Sequence, residues 1–197
     1  MITRMISTVM MVLMMGLSCV GLTGCDRPVV HQKSVSQLNQ KAAELMQEGD
    51  TAGAVARLEA AHDLVPDDGL VQYNLGIAYQ GNDEPDKAIK TLTAFVQSHP
   101  NDSQARSAVQ SIAVIYEQVA DQWYEKSAQE ETESGEKVTS AQQKEANEKA
   151  TEAMKQAIVH YEHLLKLGGI SPDSHKAIQH HVKQLNEAME KQNQKAA

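Results

Sequence analysis

The stretch LGIAYQGNDEPDKAIKTLTAFVQSHP, residues 75–100, carries the pattern that decides the fold. Apolar side chains recur at helical spacing over residues 71–79, stop at the turn-forming residues 81–83, and resume over residues 88–96 until Pro100. The pattern predicts two helices joined by a short turn. A single hairpin of this size cannot bury its apolar face alone, so such hairpins stack on one another.

The same hairpin pattern occurs 34 residues earlier in the chain. An apolar stripe runs from Val35 to Leu45, Gly49 and Asp50 interrupt it, and it resumes until Pro66. Seven positions coincide under this shift: Ala42 with Gly76, Leu45 with Tyr79, Ala54 with Ala88, Leu58 with Leu92, Ala61 with Phe95, Pro66 with Pro100, and Asp68 with Asp102. The chain therefore contains an internal repeat, the sequence signature of stacked supersecondary units.

A third copy of the pattern is split by extra residues. Tyr116 marks its first helix and Ala157 its second, and they lie 41 residues apart, against nine for Tyr79 and Ala88. Apolar residues continue at helical spacing into this excess from both sides. The third hairpin is therefore predicted to have elongated helices, with the insertion at about 125–152.

The elongated hairpin is predicted to protrude as an arm. A helix from about Ser140 to Leu167 would be roughly 42 Å long at 1.5 Å per residue. Trp123, the only tryptophan of the chain, lies on the other long helix. Two interpretations stay open: the arm contacts a specific partner, or it is a solvated insertion and Trp123 seals its base.

One more helix follows the repeats, over residues 170–191. Ser171 suits the N-cap position and Pro172 suits the first turn. An apolar stripe follows them at Ile178, Val182, Leu185 and Met189. This helix is predicted to cap the last hairpin, and the polar residues 192–197 are predicted to be a frayed tail.

The hairpin pattern resembles the tetratricopeptide repeat. In that family a small residue, here Gly76, lets the two helices approach, an aromatic residue, here Tyr79, fills the space between them, and a proline, here Pro100, ends the second helix. The resemblance implies an all-α, right-handed superhelix of about three hairpins followed by the capping helix. The three units are then residues 35–68, 69–102 and 103–169.

The resemblance also implies a concave groove lined by the first helix of each repeat, where an extended or helical peptide of a protein partner binds. Projecting the family pattern onto this chain places six side chains on that face: Asn39, Ala43, Met46, Tyr73, Ile77 and Gln80.

The amino-terminal residues 1–24 have the composition of an export signal, with Arg4 as the only charge before a short apolar region. Leu22-Thr23-Gly24-Cys25 resembles the bacterial lipobox, which implies cleavage before Cys25 and acylation of that cysteine. The alternative is an uncleaved membrane anchor. In either case the rest of the chain is expected outside the cytoplasm, facing the periplasm or the exterior.

The residues after the lipobox predict how the protein is attached. Asp26 resembles the inner-membrane retention signal of enteric lipoproteins, which favours the inner membrane. Residues 25–34 contain Pro28 and no helical periodicity, so they are predicted to form an extended tether.

Composition and motifs argue against two classes of function, nucleic-acid binding and enzymatic catalysis. The 18 Lys and Arg residues against 26 Asp and Glu residues give a formal charge of −8, which argues against nucleic-acid binding, because such binding needs clustered cations. The sequence contains no nucleophile elbow or glycine-rich phosphate loop, so we predict neither enzymatic activity nor a cofactor. The leading hypothesis is a membrane-anchored scaffold that binds an envelope protein or peptide, with a role in complex assembly.

Two other functions stay open at this point. A metal- or small-molecule-binding lipoprotein could use histidines on the last two helices, His160, His163, His180 and His181. Alternatively, the elongated hairpin could regulate a membrane enzyme. For the histidines, an ordinary helix surface is the simpler interpretation, since nothing in their spacing fixes a complete ligand set.

Overall fold

The computed structural model describes residues 26–131 and 135–196. The predicted signal peptide and Cys25 lie outside the described residues. The described ranges form seven α-helices: α1 Asp26–Glu48, α2 Thr51–Leu64, α3 Gly69–Gly81, α4 Pro85–Ser98, α5 Ala105–Ala128, α6 Ser140–Leu167 and α7 Pro172–Ala196. Within these ranges there is no strand beyond an isolated antiparallel bridge between Glu131 and Lys137. The all-α prediction is confirmed.

Helices α2, α3, α6 and α7 begin after residues whose side chains satisfy free backbone N–H groups of the first turn. Asp50 accepts a hydrogen bond from Gly53 N at 2.8 Å before α2. Thr139 and Gln142 form a capping box at the start of α6. Ser171 Oγ accepts from Ser174 N at 3.1 Å before α7, as the sequence predicts.

Consecutive helices pack as three antiparallel hairpins, α1–α2, α3–α4 and α5–α6, and α7 packs on α6. Each hairpin also contacts the next, through α2 with α3 and α4 with α5. In addition, the first helices contact one another, α1 with α3 and α3 with α5, whereas α2 and α4 do not. The stack therefore curves with its first helices on the inner side.

Gly76 sets the closeness of α3 and α4. The glycine is buried, and a Cβ atom built on it would lie 2.6 Å from Leu92 Cδ2 of α4. Leu92 and Phe95 are fully buried beneath α3. Because any larger side chain at position 76 would displace Leu92, the small residue is required by helix packing rather than by backbone conformation.

The third hairpin has elongated helices, as predicted: α5 has 24 residues and α6 has 28, against 13 and 14 in α3 and α4. The predicted helix from Ser140 to Leu167 is confirmed. A second core cluster joins this hairpin to α7, with Val109, Met154, Ile158, Leu164 and Leu185 among its buried members. Helix α7 therefore covers one side of the long hairpin, which is the role predicted for the cap.

The structure differs from the sequence predictions at both ends of the described chain. Helix α1 begins at Asp26, so residues 26–34 are helical and not an extended tether. Pro28 is compatible with this because a proline in the first turn removes only a donor that has no helical partner. Likewise α7 continues to Ala196, so residues 192–196 belong to a helix and not to a frayed tail. Neither Gly nor Pro interrupts that segment.

Candidate protein-binding groove

The six side chains predicted to line the groove lie on α1 and α3, two of the three helices on the inner side of the stack. Ala43 is exposed, and the other five are partly buried. Partial burial means that each of these five combines contact with the protein and access to solvent. We call the surface formed by Asn39, Ala43, Met46, Tyr73, Ile77 and Gln80 the inner strip.

The apolar members of the inner strip are held by the core beneath them. Tyr73 lies with its ring centroid 5.6 Å from that of the buried Phe95, at an interplanar angle of 53°. Met46 and Ile77 pack against the same core cluster. A side chain packed on one face loses little conformational freedom on binding, so these three present a preorganised apolar surface.

An amide pair links the two helices of the inner strip. Asn74 Nδ2 donates a hydrogen bond to Asn39 Oδ1 at 3.2 Å. This bond uses one of the two amide donors of Asn74 and one lone pair of Asn39. The Asn39 amide nitrogen and the Asn74 carbonyl oxygen therefore retain hydrogen-bonding capacity toward a ligand.

Charged groups of the repeats gather on the other side of α3. Tyr79 donates to Glu59 Oε1 of α2 at 2.7 Å, and the Lys87 ammonium lies 5.0 Å from the Tyr79 ring centroid. Lys87 also forms an ion pair with Glu84. Burial, followed by the hydrogen bond to Glu59, raises the pKa of the Tyr79 hydroxyl, so it stays a neutral donor. This network stabilises the contact between the hairpins. None of its charged side chains belongs to the inner strip.

Helix α5 extends the inner side to the third hairpin, and none of the predicted groove residues lies on it. The register of the third copy, in which Tyr116 corresponds to Tyr79, would have found candidates, since Tyr73, Ile77 and Gln80 then map onto Gln110, Val114 and Glu117. A small cleft of about 20 Å³ lies where α3, α4 and α5 meet; its lining includes Gln80, Pro85, Ile115, Gln118 and Val119.

Trp123 lies on the side of the long hairpin and is partly buried. The ammonium groups of Lys126 and Lys149 each lie 4.4 Å from its ring centroid, within cation–π distance. Lys149 also pairs with Glu145 at 2.8 Å. The tryptophan thus joins α5 to α6 through charged side chains.

Two of the four histidines of the metal hypothesis, His160 and His181, contact aromatic residues. His160 stacks on Tyr116 with centroids 5.6 Å apart, and burial, followed by the neighbouring His163, lowers its pKa. His181 Nε2 lies 3.0 Å from Glu117 Oε2, which also accepts from the Tyr161 hydroxyl at 3.1 Å. Within residues 26–131 and 135–196, no group of three or more His, Cys, Asp or Glu side chains is arranged to hold a metal ion.

Comparison with known proteins supports the repeat assignment. Residues 45–112 match the family model of the tetratricopeptide repeat, in agreement with the repeat pattern of the sequence. No curated protein matches the chain. In the described part of the chain, no helix combines the length and the apolar character needed to cross a bilayer.

Three solved structures are similar at low sequence identity. MamA 41-end from Desulfovibrio magneticus RS-1 is 16% identical over 78% of this chain and 94% of its own, with a TM-score of 0.39. The MamA RS-1 ArsTM double mutant is 16% identical over 79% of this chain and 96% of its own, with a TM-score of 0.39. A putative kinesin light chain of Podospora anserina with nearly identical TPR-like repeats is 19% identical over 82% of this chain and 89% of its own, with a TM-score of 0.39.

Proposed function

We propose that the chain is a non-enzymatic scaffold that binds a protein partner along the inner strip and is attached to the bacterial envelope through a lipid on Cys25. The observation that carries the binding role is the inner strip itself. It is a partly exposed surface of amide, phenol and aliphatic groups that spans two helices and is packed on the core beneath. Tetratricopeptide repeats bind protein partners, which supports the same role.

The lipid attachment rests on the sequence. Leu22-Thr23-Gly24-Cys25 has the lipobox pattern, and Asp26 after it favours the inner membrane, with the repeats on the periplasmic side. Because α1 begins at Asp26, an anchor on Cys25 would join the repeats without a long spacer. The groove would then operate within a few nanometres of the membrane surface, which suits a partner that is itself membrane-bound or membrane-proximal.

Photo-crosslinking tests the binding role in cells that produce the full chain. A photo-reactive phenylalanine analogue at position 73 is expected to trap a partner protein, because that ring is both partly exposed and held by Phe95. The same analogue at the exposed Ala60 of α2, away from the inner strip, is the matched control. Equal capture at both positions, or no capture at position 73, would contradict the proposed groove.

Fractionation of the Cys25→Ser variant tests the anchor. We expect this variant to lose the lipid and to retain a longer precursor, since both processing steps depend on that cysteine. Metabolic labelling with a clickable fatty acid measures the lipid directly. Labelling of the variant at the level of the unsubstituted chain would refute acylation at Cys25.

A further inference from the structure

We infer that the segment held by the inner strip is uncharged and extended. This inference rests on the proposed function and adds the chemical class of the partner segment. The apolar side chains of such a segment would contact Met46, Tyr73 and Ile77. Its main-chain N–H and C=O groups would pair with the side-chain amides of Asn39, Asn74 and Gln80.

The first argument is the distribution of charge. The chain carries 44 Lys, Arg, Asp and Glu residues in total, yet none of the six inner-strip residues is charged. Helix α3 has no charged residue among its 13, and α5 has none from Ser107 to Tyr116. The uncharged surface therefore spans α1 and α3, and it ends toward the third hairpin at Asp83, which lines one cleft with Gln80, and at Glu117 of α5.

Helix α1 shows that the charges are excluded from one face rather than merely rare. At about 100° per residue, Asn39, Ala43 and Met46 share one side of the helix. Lys41, Glu44 and Glu48 fall on the opposite side, and Lys41 pairs with Glu44 at 3.1 Å. Charges on this helix thus project away from the inner strip.

The second argument is the cost of placing a charge against such a surface. A charged ligand side chain would lose part of its hydration and find no counter-ion among the inner-strip residues, which is unfavourable. Amide side chains instead supply both donors and acceptors, matching a peptide main chain. A helical ligand already satisfies its own main chain, so the amides favour an extended one.

The net negative charge of the chain also attracts ligands at long range, and an experiment must distinguish this attraction from contacts at the inner strip. A net charge of −8 attracts cations toward the whole molecule, an effect that salt weakens. An assay based on affinity alone could mistake this attraction for recognition of a basic segment. Substitutions of both signs at one position of the inner strip remove that ambiguity.

The test uses three substitutions at Ala43, which is exposed and should tolerate each of them. The variants Ala43→Glu, Ala43→Lys and Ala43→Gln each carry the photo-reactive analogue at position 73, and helicity by circular dichroism confirms that each folds. We expect the Glu and Lys variants to reduce the trapped complex similarly, by about threefold or more, because either charge is desolvated by a neutral ligand. The Gln variant, equal in size to Glu but neutral, should reduce the trapped complex less than either charged variant does.

Matched substitutions at Ala60, Ala60→Glu and Ala60→Lys, should change the yield by less than about twofold, because they alter net charge outside the inner strip. Opposite effects of Glu and Lys at position 43 would overturn the inference, and so would a loss in the Gln variant equal to that in the Glu variant. Mass spectrometry of the trapped peptide provides a second readout. A Lys, Arg, Asp or Glu beside the cross-linked residue would refute an uncharged segment, whereas failure to trap any protein at position 73 would refute the proposed function itself.

Discussion

The second and third hairpins share one sequence pattern but are closed in different ways. In α3–α4 the helices have 13 and 14 residues and approach each other where Gly76 of α3 meets Leu92 of α4. In α5–α6 the pattern supplies Ala113 and Tyr161 at the corresponding places, yet the helices run on for 24 and 28 residues. The comparison shows that the repeat pattern fixes how two helices meet and leaves open how far they extend.

The two hairpins also differ in what covers them. The α3–α4 hairpin lies between neighbouring hairpins on both sides, and its inner surface forms half of the inner strip. The long hairpin instead forms a three-helix unit with α7, which packs along it through Leu185. One hairpin is therefore suited to presenting a groove, and the other is stabilised by a covering helix. Six substitutions, ordered by expected effect, and one dependence on pH test this distinction.

The largest effect is expected for Gly76→Val in the second hairpin. The new side chain would overlap Leu92, whose Cδ2 lies 2.6 Å from the Cβ position. Overpacking at a buried helix contact should lower the free energy of unfolding by about 3 kcal/mol. Urea denaturation measures it, with Ala43→Val as the exposed control, expected to cost less than about 1 kcal/mol. An unchanged urea midpoint would mean that α3 and α4 are not in close contact.

A smaller and more local effect is expected for Leu185→Ala, which removes a buried side chain of α7 from the third hairpin. The lost burial should cost about 2–3 kcal/mol. Hydrogen exchange should accelerate in α7 and in the facing part of α6, while α3 and α4 keep their protection. Uniform acceleration over all helices would show that the two regions unfold as one unit, against the distinction drawn here.

The two buried tyrosines allow a direct comparison of polar links. Tyr79 bonds to Glu59 between hairpins, and Tyr161 bonds to Glu117 within the long hairpin. Tyr79→Phe and Tyr161→Phe should each cost about 1 kcal/mol, since each leaves a carboxylate without its hydroxyl donor. The loss at position 161 should be the smaller, because Glu117 retains His181. Equal losses would argue against a shared role of Glu117.

The same tyrosines predict a dependence on alkaline pH. Burial raises the pKa of both hydroxyls in the folded chain. Folding therefore favours the protonated form, and the resulting stability is complete below the ordinary tyrosine pKa of about 10 and is lost as pH rises above it. Urea midpoints measured on both sides of that pH should fall less for the double Phe variant than for the unsubstituted chain.

The smallest effect is expected at Trp123. Lys126→Gln and Lys149→Gln each remove one ammonium from the ring, which should cost about 0.5 kcal/mol. As the only tryptophan, Trp123 reports the change through its own fluorescence. A shift of the emission maximum in both variants is expected; an unchanged spectrum in either would place that lysine away from the ring.

The sequence alone determined the repeat architecture because that information is local. Apolar residues three and four positions apart define each helix face, and breakers such as residues 81–83 end it, so the hairpins and the helix from Ser140 to Leu167 could be predicted without coordinates. The inner-strip candidates came instead from the resemblance to the tetratricopeptide repeat, which implies that they lie on the first helix of each repeat. Periodicity gave no helical signal at residues 26–34, so a tether was predicted there, although the chain is helical.

Only the tertiary structure decided which faces meet. Three contacts depend on the distances between helices far apart in sequence: Asn74 bonds to Asn39, Glu117 joins Tyr161 to His181, and Lys149 of α6 lies over Trp123 of α5. The curvature of the stack is likewise a property of contacts between first helices. Helical periodicity specifies the direction of a side chain around its own axis, whereas its neighbour is specified by the packing of complete helices.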